Sequence, residues 1–158
     1  MVEDTGKALE SLAKLFDVAL PPSSSPLGKF YRVNGSEGEG IKWALIPVGG
    51  PGHTMLETVE PTKDGYAKEF LRANGNMSVL EICFRVDDIE KFHDKLKEMG
   101  ITPTDFLGNP LTESKFVLAE IPGVPKESWP KFFYLKVSLK PNQGVNLEIV
   151  EYPPSFPR

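Results

Sequence analysis

Two short segments of the chain have the same alternation of apolar and acidic residues. Residues 56–60 have the sequence LETVE and residues 147–151 have LEIVE, and a proline follows each segment within two positions. Both are rich in β-branched residues and bounded by Gly or Pro, which predicts two β-strands. Because side chains alternate across a strand, Glu57 and Glu148 occupy the same place in two similar strands.

A second repeat supports the first. Residues 2–4 (VED) open a pattern of apolar residues at helical spacing, and residues 86–88 (VDD) open another 84 positions later. The two acidic strands are 91 positions apart, so the halves differ by only a few inserted residues. A period this long indicates two copies of one supersecondary unit rather than a solenoid.

The remaining pattern predicts the order of the elements. Asp4 or Thr5 can cap the first helix, and a D-x-x-E capping box formed by Asp87 and Glu90 opens the helix of the second half. In chain order the sequence predicts a helix from residue 4 or 5, strands at 30–33, 41–48 and 56–60, a helix at 66–74 ended by Gly75, a strand at 79–86, a helix ended by Gly100, and strands near 115–121, 132–139 and 145–150.

These elements define an α+β fold of two β-α-β-β-β modules that form a curled mixed sheet. We expect one domain, with module one at residues 1–75, module two at 76–153 and a tail at 154–158. By comparison with module two, module one lacks its opening strand. The repeat places the end of that strand at Val2, so either the sequence begins inside the strand or another chain supplies it.

The composition of the chain limits the classes of partner and the compartment that we expect for the protein. The chain has 158 residues, a net charge of −4 and no long basic run, which argues against nucleic acid or an anionic membrane as the partner. No apolar run approaches the length of a membrane span and no signal-peptide pattern opens the chain. The single cysteine, Cys83, fits a reducing compartment. We therefore expect a cytoplasmic protein.

The modular pattern, with an acid in the last strand of each half, resembles the vicinal oxygen chelate superfamily, which includes glyoxalase I, extradiol dioxygenases and bleomycin-resistance proteins. Within the superfamily the local strings are most similar to the methylmalonyl-CoA epimerases. The strings that support this resemblance are residues 2–4 (VED), 44–47 (ALIP), 56–61 (LETVEP), 67–74 (AKEFLRAN), 81–89 (EICFRVDDI) and 144–148 (GVNLE).

The resemblance implies a divalent metal held inside the sheet by four strand residues, which in the epimerase pattern are His, Gln or Glu, His and Glu. Glu57 matches the second position and Glu148 the fourth. Glu81 stands at the third position, where the pattern has His, and the first position would lie on the missing strand. The implied metal ligands are therefore Glu57, Glu81 and Glu148.

Each site residue also has a structural interpretation. Glu148 and Glu57 can be solvent-facing acids of edge strands, and Glu81 can pair with Arg85 on the same face of its strand. The resemblance also implies two acid/base residues, for which Glu148 and Glu39 are the candidates. Glu37 competes with Glu39 for that position, and either can be a solvated turn acid.

Three carboxylates favour a hard ion such as Mg²⁺ or Mn²⁺, with Co²⁺ or Zn²⁺ as the other candidates. Without a cation, converging carboxylates repel one another, so at least one should hold a proton near neutral pH. The same cluster can therefore bind a metal or exchange protons.

Two functions of different classes follow. The first is an epimerase-like isomerase, or a glyoxalase-like lyase, that removes a proton next to the carbonyl of a small acid or acyl-CoA thioester. The second is a metal-free protein that binds a small molecule, like the bleomycin-resistance proteins. An extradiol dioxygenase would need a two-His, one-carboxylate iron site, which His53 and His93 do not supply. A loop at residues 103–130 can close over the cavity, and the resemblance implies a homodimer.

Overall fold

The computed structural model describes residues 1–36, 40–48, 54–112, 114–121, 123–136 and 145–154. Its α-helices are α1 (Thr5–Leu15), α2 (Pro26–Phe30), α3 (Tyr66–Asn74) and α4 (Ile89–Glu98), and Lys126–Ser128 form a short 3₁₀ helix. Its strands are β1 (Asn34–Ser36), β2 (Ile41–Val48), β3 (Thr54–Pro61), β4 (Glu81–Arg85), β5 (Val117–Leu118), β6 (Lys131–Leu135) and β7 (Asn146–Glu151). In this part of the chain, no helix is long and apolar enough to cross a membrane.

The strands form two sheets. The first sheet has the antiparallel order β1-β2-β3, and the second has the order β4-β7-β6-β5. In the second sheet β4 runs parallel to β7, whereas β7, β6 and β5 are antiparallel to one another. A parallel pair requires a crossover connection, and α4 lies on that connection. The α+β class with two strand-rich halves is confirmed.

One helix covers the outer face of each sheet. Leu9 of α1 packs against Ala44 and Ile46 of β2 in one apolar cluster. Ile89 and Leu96 belong to a second cluster, in which α4 packs on Phe133 and Ile149. Apolar residues at helical spacing therefore meet alternate residues of a strand, the pattern by which an amphipathic helix covers a sheet.

The inner faces of the two sheets share one larger core. Trp43 and Leu45 of β2, Val59 of β3 and Phe132, Tyr134 and Val150 of the second sheet belong to the same buried cluster. Edge-to-face contacts order its rings, with centroid separations of 5.6 Å both for Phe30–Trp43 and for Phe132–Tyr134. Such aromatic pairs contribute beyond their buried area.

The two long helices begin in the same way. The side chain of Asp4 accepts a hydrogen bond from the amide of Lys7, and that of Asp88 accepts one from Lys91, both at 2.9 Å. These N-caps lie 84 residues apart, as the repeat predicts. The capping box assigned to Asp87 was wrong by one position, because the backbone turns into the helix at Asp88.

The strand expected at residues 30–33 was also wrong. The chain forms α2 there, followed by a turn, and β1 begins at Asn34. The hydroxyl oxygen of Ser25 accepts a hydrogen bond from the amide of Gly28 at 3.0 Å, which caps the first turn. Phe30 and Tyr31 are both buried, and both belong to the large inner core.

Residues 1 and 2 lie beside β3, where the repeat predicts the end of an opening strand. The Val2 amide donates to the Val59 carbonyl at 2.8 Å, and the Met77 amide donates to the Met1 carbonyl at 2.9 Å. In the described part of the chain the first sheet has three strands where the second has four. These two bonds connect the chain before α1 to both halves of the molecule.

Packing of α4 on the second sheet gives the first prediction. Phe133 is fully buried between that sheet and α4, so Phe133→Ala should lower the free energy of unfolding by about 3–5 kcal/mol. Leu15→Ala is the matched control, because Leu15 at the end of α1 is 72% exposed and should lose about 1 kcal/mol or less. Urea unfolding followed by circular dichroism measures both, and equal losses would contradict this packing.

Candidate metal centre

Three strands point glutamates at the inner faces of the sheets. Glu57 of β3 lies opposite Leu45 of β2, which belongs to the inner core, so Glu57 shares that face. Glu81 of β4 lies opposite Asn146 of β7. Glu148 of β7 lies between Cys83 of β4 and Tyr134 of β6. Period-two alternation thus puts all three acids on one side of the molecule.

The three carboxylates converge. Each of Glu57, Glu81 and Glu148 offers one oxygen, and these oxygens lie within 4.8 Å of one another. Glu57 is exposed, Glu81 and Glu148 are half-buried, and one oxygen of Glu81 is fully buried. The structure therefore brings together the three residues for which the resemblance implied a metal.

The geometry of the cluster suits a hard cation. An ion bound at about 2.0–2.6 Å from three oxygens holds them roughly 3–4.5 Å apart, which falls within the 4.8 Å limit of this cluster. Carboxylates are the ligands that Mg²⁺, Mn²⁺ and Ca²⁺ prefer. Three negative charges at this separation repel one another strongly where water is partly excluded. The residues present thus fit a divalent ion with oxygen ligands.

Cys83 adds a thiol beside the carboxylates. Although Cys83 is exposed at the sheet edge, burial of the thiol raises its pKa, and the adjacent Glu148 carboxylate, to which the thiol donates a hydrogen bond, raises the pKa further. The charges of Glu57 and Glu81 act in the same direction. The thiol should therefore remain protonated near neutral pH, as a donor to Glu148 and not as a nucleophile.

A phenol also faces the cluster. Burial raises the pKa of Tyr152, and the nearby groups of Cys83, Glu148 and Glu57 raise it further. The ring lies under the guanidinium of Arg85, at 5.3 Å from the centroid, so the ring has a fixed orientation. Tyr152 consequently stays a neutral hydrogen-bond donor near the acids.

The amino group of Met1 lies on the same side. It donates to the Ser78 carbonyl at 2.6 Å. Burial lowers the pKa of this ammonium group, whereas the charges of Glu81 and Glu57 act in the opposite direction. Burial is the larger effect, so the pKa of this amino group lies below its ordinary value.

The other predicted residues lie elsewhere. Glu39, its competitor Glu37 and His53 are outside the described residues, so the second acid/base assignment stays a prediction. His93 is buried on α4, with its ring 6.1 Å from Phe133 on the outer side of the second sheet. It is not part of the carboxylate cluster.

Three described lysines of the second half lie in different environments. Lys115 pairs with Asp94 at 2.8 Å, and Lys131 pairs with Glu90 and Glu151 at 3.6 and 3.4 Å. The ammonium of Lys136 instead lies inside a group of aromatic rings.

Sequence reasoning did not single out Tyr152 or Lys136 as neighbours of the site. Tyr152 continues the alternation of β7, four residues after Glu148 on the same face, so strand periodicity contained that signal. The surroundings of Lys136 come from α3 and a distant loop, which no local pattern in the sequence indicates.

Comparison with solved structures agrees with this architecture. A methylmalonyl-CoA epimerase in complex with methylmalonyl-CoA and NH₄⁺ matches with a TM-score of 0.67 and 16% identity, covering 99% of this chain and 92% of that one. The Mycobacterium tuberculosis methylmalonyl-CoA epimerase matches with a TM-score of 0.66 and 18% identity over 97% and 83% of the two chains. A Streptomyces coelicolor epimerase bound to 2-nitronate-propionyl-CoA also matches with a TM-score of 0.66, at 16% identity over 99% and 92%.

The structural neighbours of the chain are therefore methylmalonyl-CoA epimerases of the vicinal oxygen chelate superfamily, and the chain has their glyoxalase-like fold. No protein-family model and no curated protein sequence matches it.

The contact between Cys83 and Glu148 gives the second prediction. Glu148→Gln removes one negative charge beside the thiol, so the pKa of Cys83 should fall and the thiolate fraction should rise. In EDTA at pH 8.5, alkylation by iodoacetamide should become about tenfold faster or more. Mass spectrometry measures the rate. Glu98→Gln, an exposed acid on α4, should leave it unchanged, and equal rates in all three proteins would contradict the contact.

Proposed function

We propose that this protein is an epimerase-like enzyme that removes and returns a proton next to the carbonyl of an acyl thioester. The single observation that supports this proposal most is the convergence of Glu57, Glu81 and Glu148, within 4.8 Å, on a fold shared with methylmalonyl-CoA epimerases. The 16% identity to those neighbours makes the activity a proposal.

Glu57, Glu81 and Glu148 would hold a divalent ion, for which Mg²⁺ and Mn²⁺ suit the oxygen-only ligands best. A bound ion supplies electrophilic stabilisation of a developing enolate oxygen. The half-buried position of Glu81 and Glu148 supports this role, because electrostatic interactions strengthen where water is partly excluded.

Proton transfer would fall to Glu148 and Glu39, one on each face of the α-carbon. Glu148 has a neighbouring thiol donor in Cys83 and lies among other acids, and both features bear on its proton affinity. A glutamate that holds an ion tightly is a poor base, so the two roles of Glu148 compete. Burial and the nearby acids keep the hydroxyl of Tyr152 neutral, the form in which it donates a hydrogen bond.

The substrate class follows from the neighbours. Two of the matched epimerases were solved with acyl-CoA compounds, methylmalonyl-CoA and 2-nitronate-propionyl-CoA. We infer a small carboxylic acid or its acyl-CoA thioester as the substrate of this chain.

A metal-free binding protein is the second candidate. Glu81 stands where the resemblance implies His, so the ligand set departs from the epimerase pattern. This departure favours a cavity that binds a small molecule without an ion. The response to a chelator separates the two functions, since only the enzyme with a bound ion should lose activity with EDTA.

Exchange of the α-proton is the direct test. Wild-type protein with Mn²⁺ should exchange the α-proton of methylmalonyl-CoA for deuterium in D₂O, as followed by NMR. Glu148→Gln should slow this exchange by about 10²–10⁴-fold, because it removes both a ligand and the base. Treatment with EDTA should have a comparable effect.

Glu98→Gln serves again as the matched control and should keep wild-type exchange. Full activity in Glu148→Gln would eliminate this mechanism. Full activity in EDTA, combined with loss in Glu148→Gln, would favour proton exchange by the carboxylates without an ion.

We further propose a homodimer. Apolar side chains at and near the edge strand β4 are exposed, with Val79 at 64%, Phe84 at 51% and Ile82 at 49%. Light scattering after size exclusion should give twice the chain mass of 17.5 kDa. Phe84→Glu should shift the protein to monomer by placing a charge in the contact, while Glu98→Gln should not. A wild-type monomer at 100 µM would contradict the proposal.

A further inference from the structure

Lys136 has an unusual environment for a lysine. It directly follows β6, and its ammonium nitrogen lies 4.7 Å from the ring centroid of Tyr134, 4.9 Å from Phe106 and 5.0 Å from Tyr66. All three distances are within the roughly 6 Å range of a cation–π contact. Rings from a strand, a loop and a helix thus surround one positive charge.

The charged nitrogen is inside the protein. Its atom is fully buried, although the Lys136 side chain as a whole is only half-buried. Taking an ammonium out of water costs several kcal/mol, which rings and nearby negative charge must offset. A buried lysine at this position therefore indicates a negative potential around it.

The register of the second sheet indicates one source of that potential. Tyr134 lies directly opposite Glu148. Lys136 follows Tyr134 by two residues, immediately after the end of β6. The ring of Tyr134 thus contacts the Lys136 ammonium and lies beside Glu148 in the sheet.

A hydrogen bond extends the link to a second acid. The side-chain amide of Asn146 donates to the Tyr66 hydroxyl at 2.9 Å. Asn146 lies directly opposite Glu81 in the β4–β7 pair. The Tyr66 ring, which contacts the Lys136 ammonium, is therefore hydrogen-bonded to the residue beside Glu81. One carboxylate oxygen of Glu81 is also fully buried.

We propose that Lys136 is the built-in counter-cation of the cluster formed by Glu57, Glu81 and Glu148, and that its charge sets the affinity of that cluster for divalent ions. The inference rests on the metal site of the proposed function. Lys136 acts through the field it exerts on the acids, so it is a positioning residue and need not touch the substrate.

The sign of the effect follows from electrostatics. A fixed positive charge near the carboxylates disfavours the arrival of a doubly charged ion. Removing that charge should strengthen Mn²⁺ binding by about tenfold or more. Structural damage near the site would have the opposite effect and weaken binding.

The test compares Mn²⁺ binding to the full chain by electron paramagnetic resonance and calorimetry. Lys136→Met removes the charge and keeps an unbranched apolar side chain, whereas Lys136→Arg keeps the charge. Lys115→Met is the matched control, because it makes the same change in net charge at an exposed lysine paired with Asp94 on α4.

We expect Lys136→Met to bind Mn²⁺ about tenfold more tightly than wild type, Lys136→Arg to resemble wild type, and Lys115→Met to change affinity less than twofold. Lys136→Gln is the second neutral variant if Lys136→Met does not fold. Equal or weaker binding by a folded neutral variant would overturn the inference, as would an equal gain in Lys115→Met.

Failure of the proposed function would look different. If the wild type binds no Mn²⁺ at millimolar concentration, epimerisation that depends on this ion is excluded. The inference about Lys136 would then still predict measurable Mn²⁺ binding by the neutral variant. If neither protein binds Mn²⁺, the inference is overturned as well. If both bind and no α-proton exchange occurs, only the proposed activity fails.

Discussion

Mutual repulsion of three carboxylates is the constraint on which the rest of this structure depends. Glu57, Glu81 and Glu148 come from three strands of two sheets, and backbone pairing holds their oxygens within 4.8 Å. Such a cluster is costly unless positive charge or protons offset it. The surroundings supply protons, since the hydroxyl of Tyr152 and the thiol of Cys83 stay protonated. These neutral groups add no negative charge to the cluster.

Strand alternation allows the same sheets to bury a core and to display acids. Alternate residues of β2, β6 and β7, among them Ile46, Phe133 and Ile149, pack under α1 or α4. The intervening residues form the inner core, which is rich in aromatic side chains. The acids lie on this inner face, close to rings that exclude water, so their charges act over longer distances than surface charges would.

Much of this could be predicted from the sequence, and the failures have physical causes. The two LE-x-VE strands and the first cap at Asp4 are local signals in the sequence. The second cap was expected at Asp87 and lies one residue later, at Asp88. Residues 30–33 were misassigned because β-propensity is weak evidence where a capped turn and tertiary burial compete with it. The surroundings of Lys136 could not be predicted, because residues 66, 106 and 134 meet only in the folded chain.

The glutamate at position 81 connects these observations. The resemblance implies a neutral His there, so Glu81 adds one negative charge to a cluster that already has two. Each added charge raises the cost of burying the cluster and changes the preferred ion from one that favours nitrogen to one that favours oxygen. A buried lysine directly after the strand next to Glu148 offsets one such charge without taking up a ligand position. The acid at 81 and the cation at 136 are therefore best understood as one electrostatic unit.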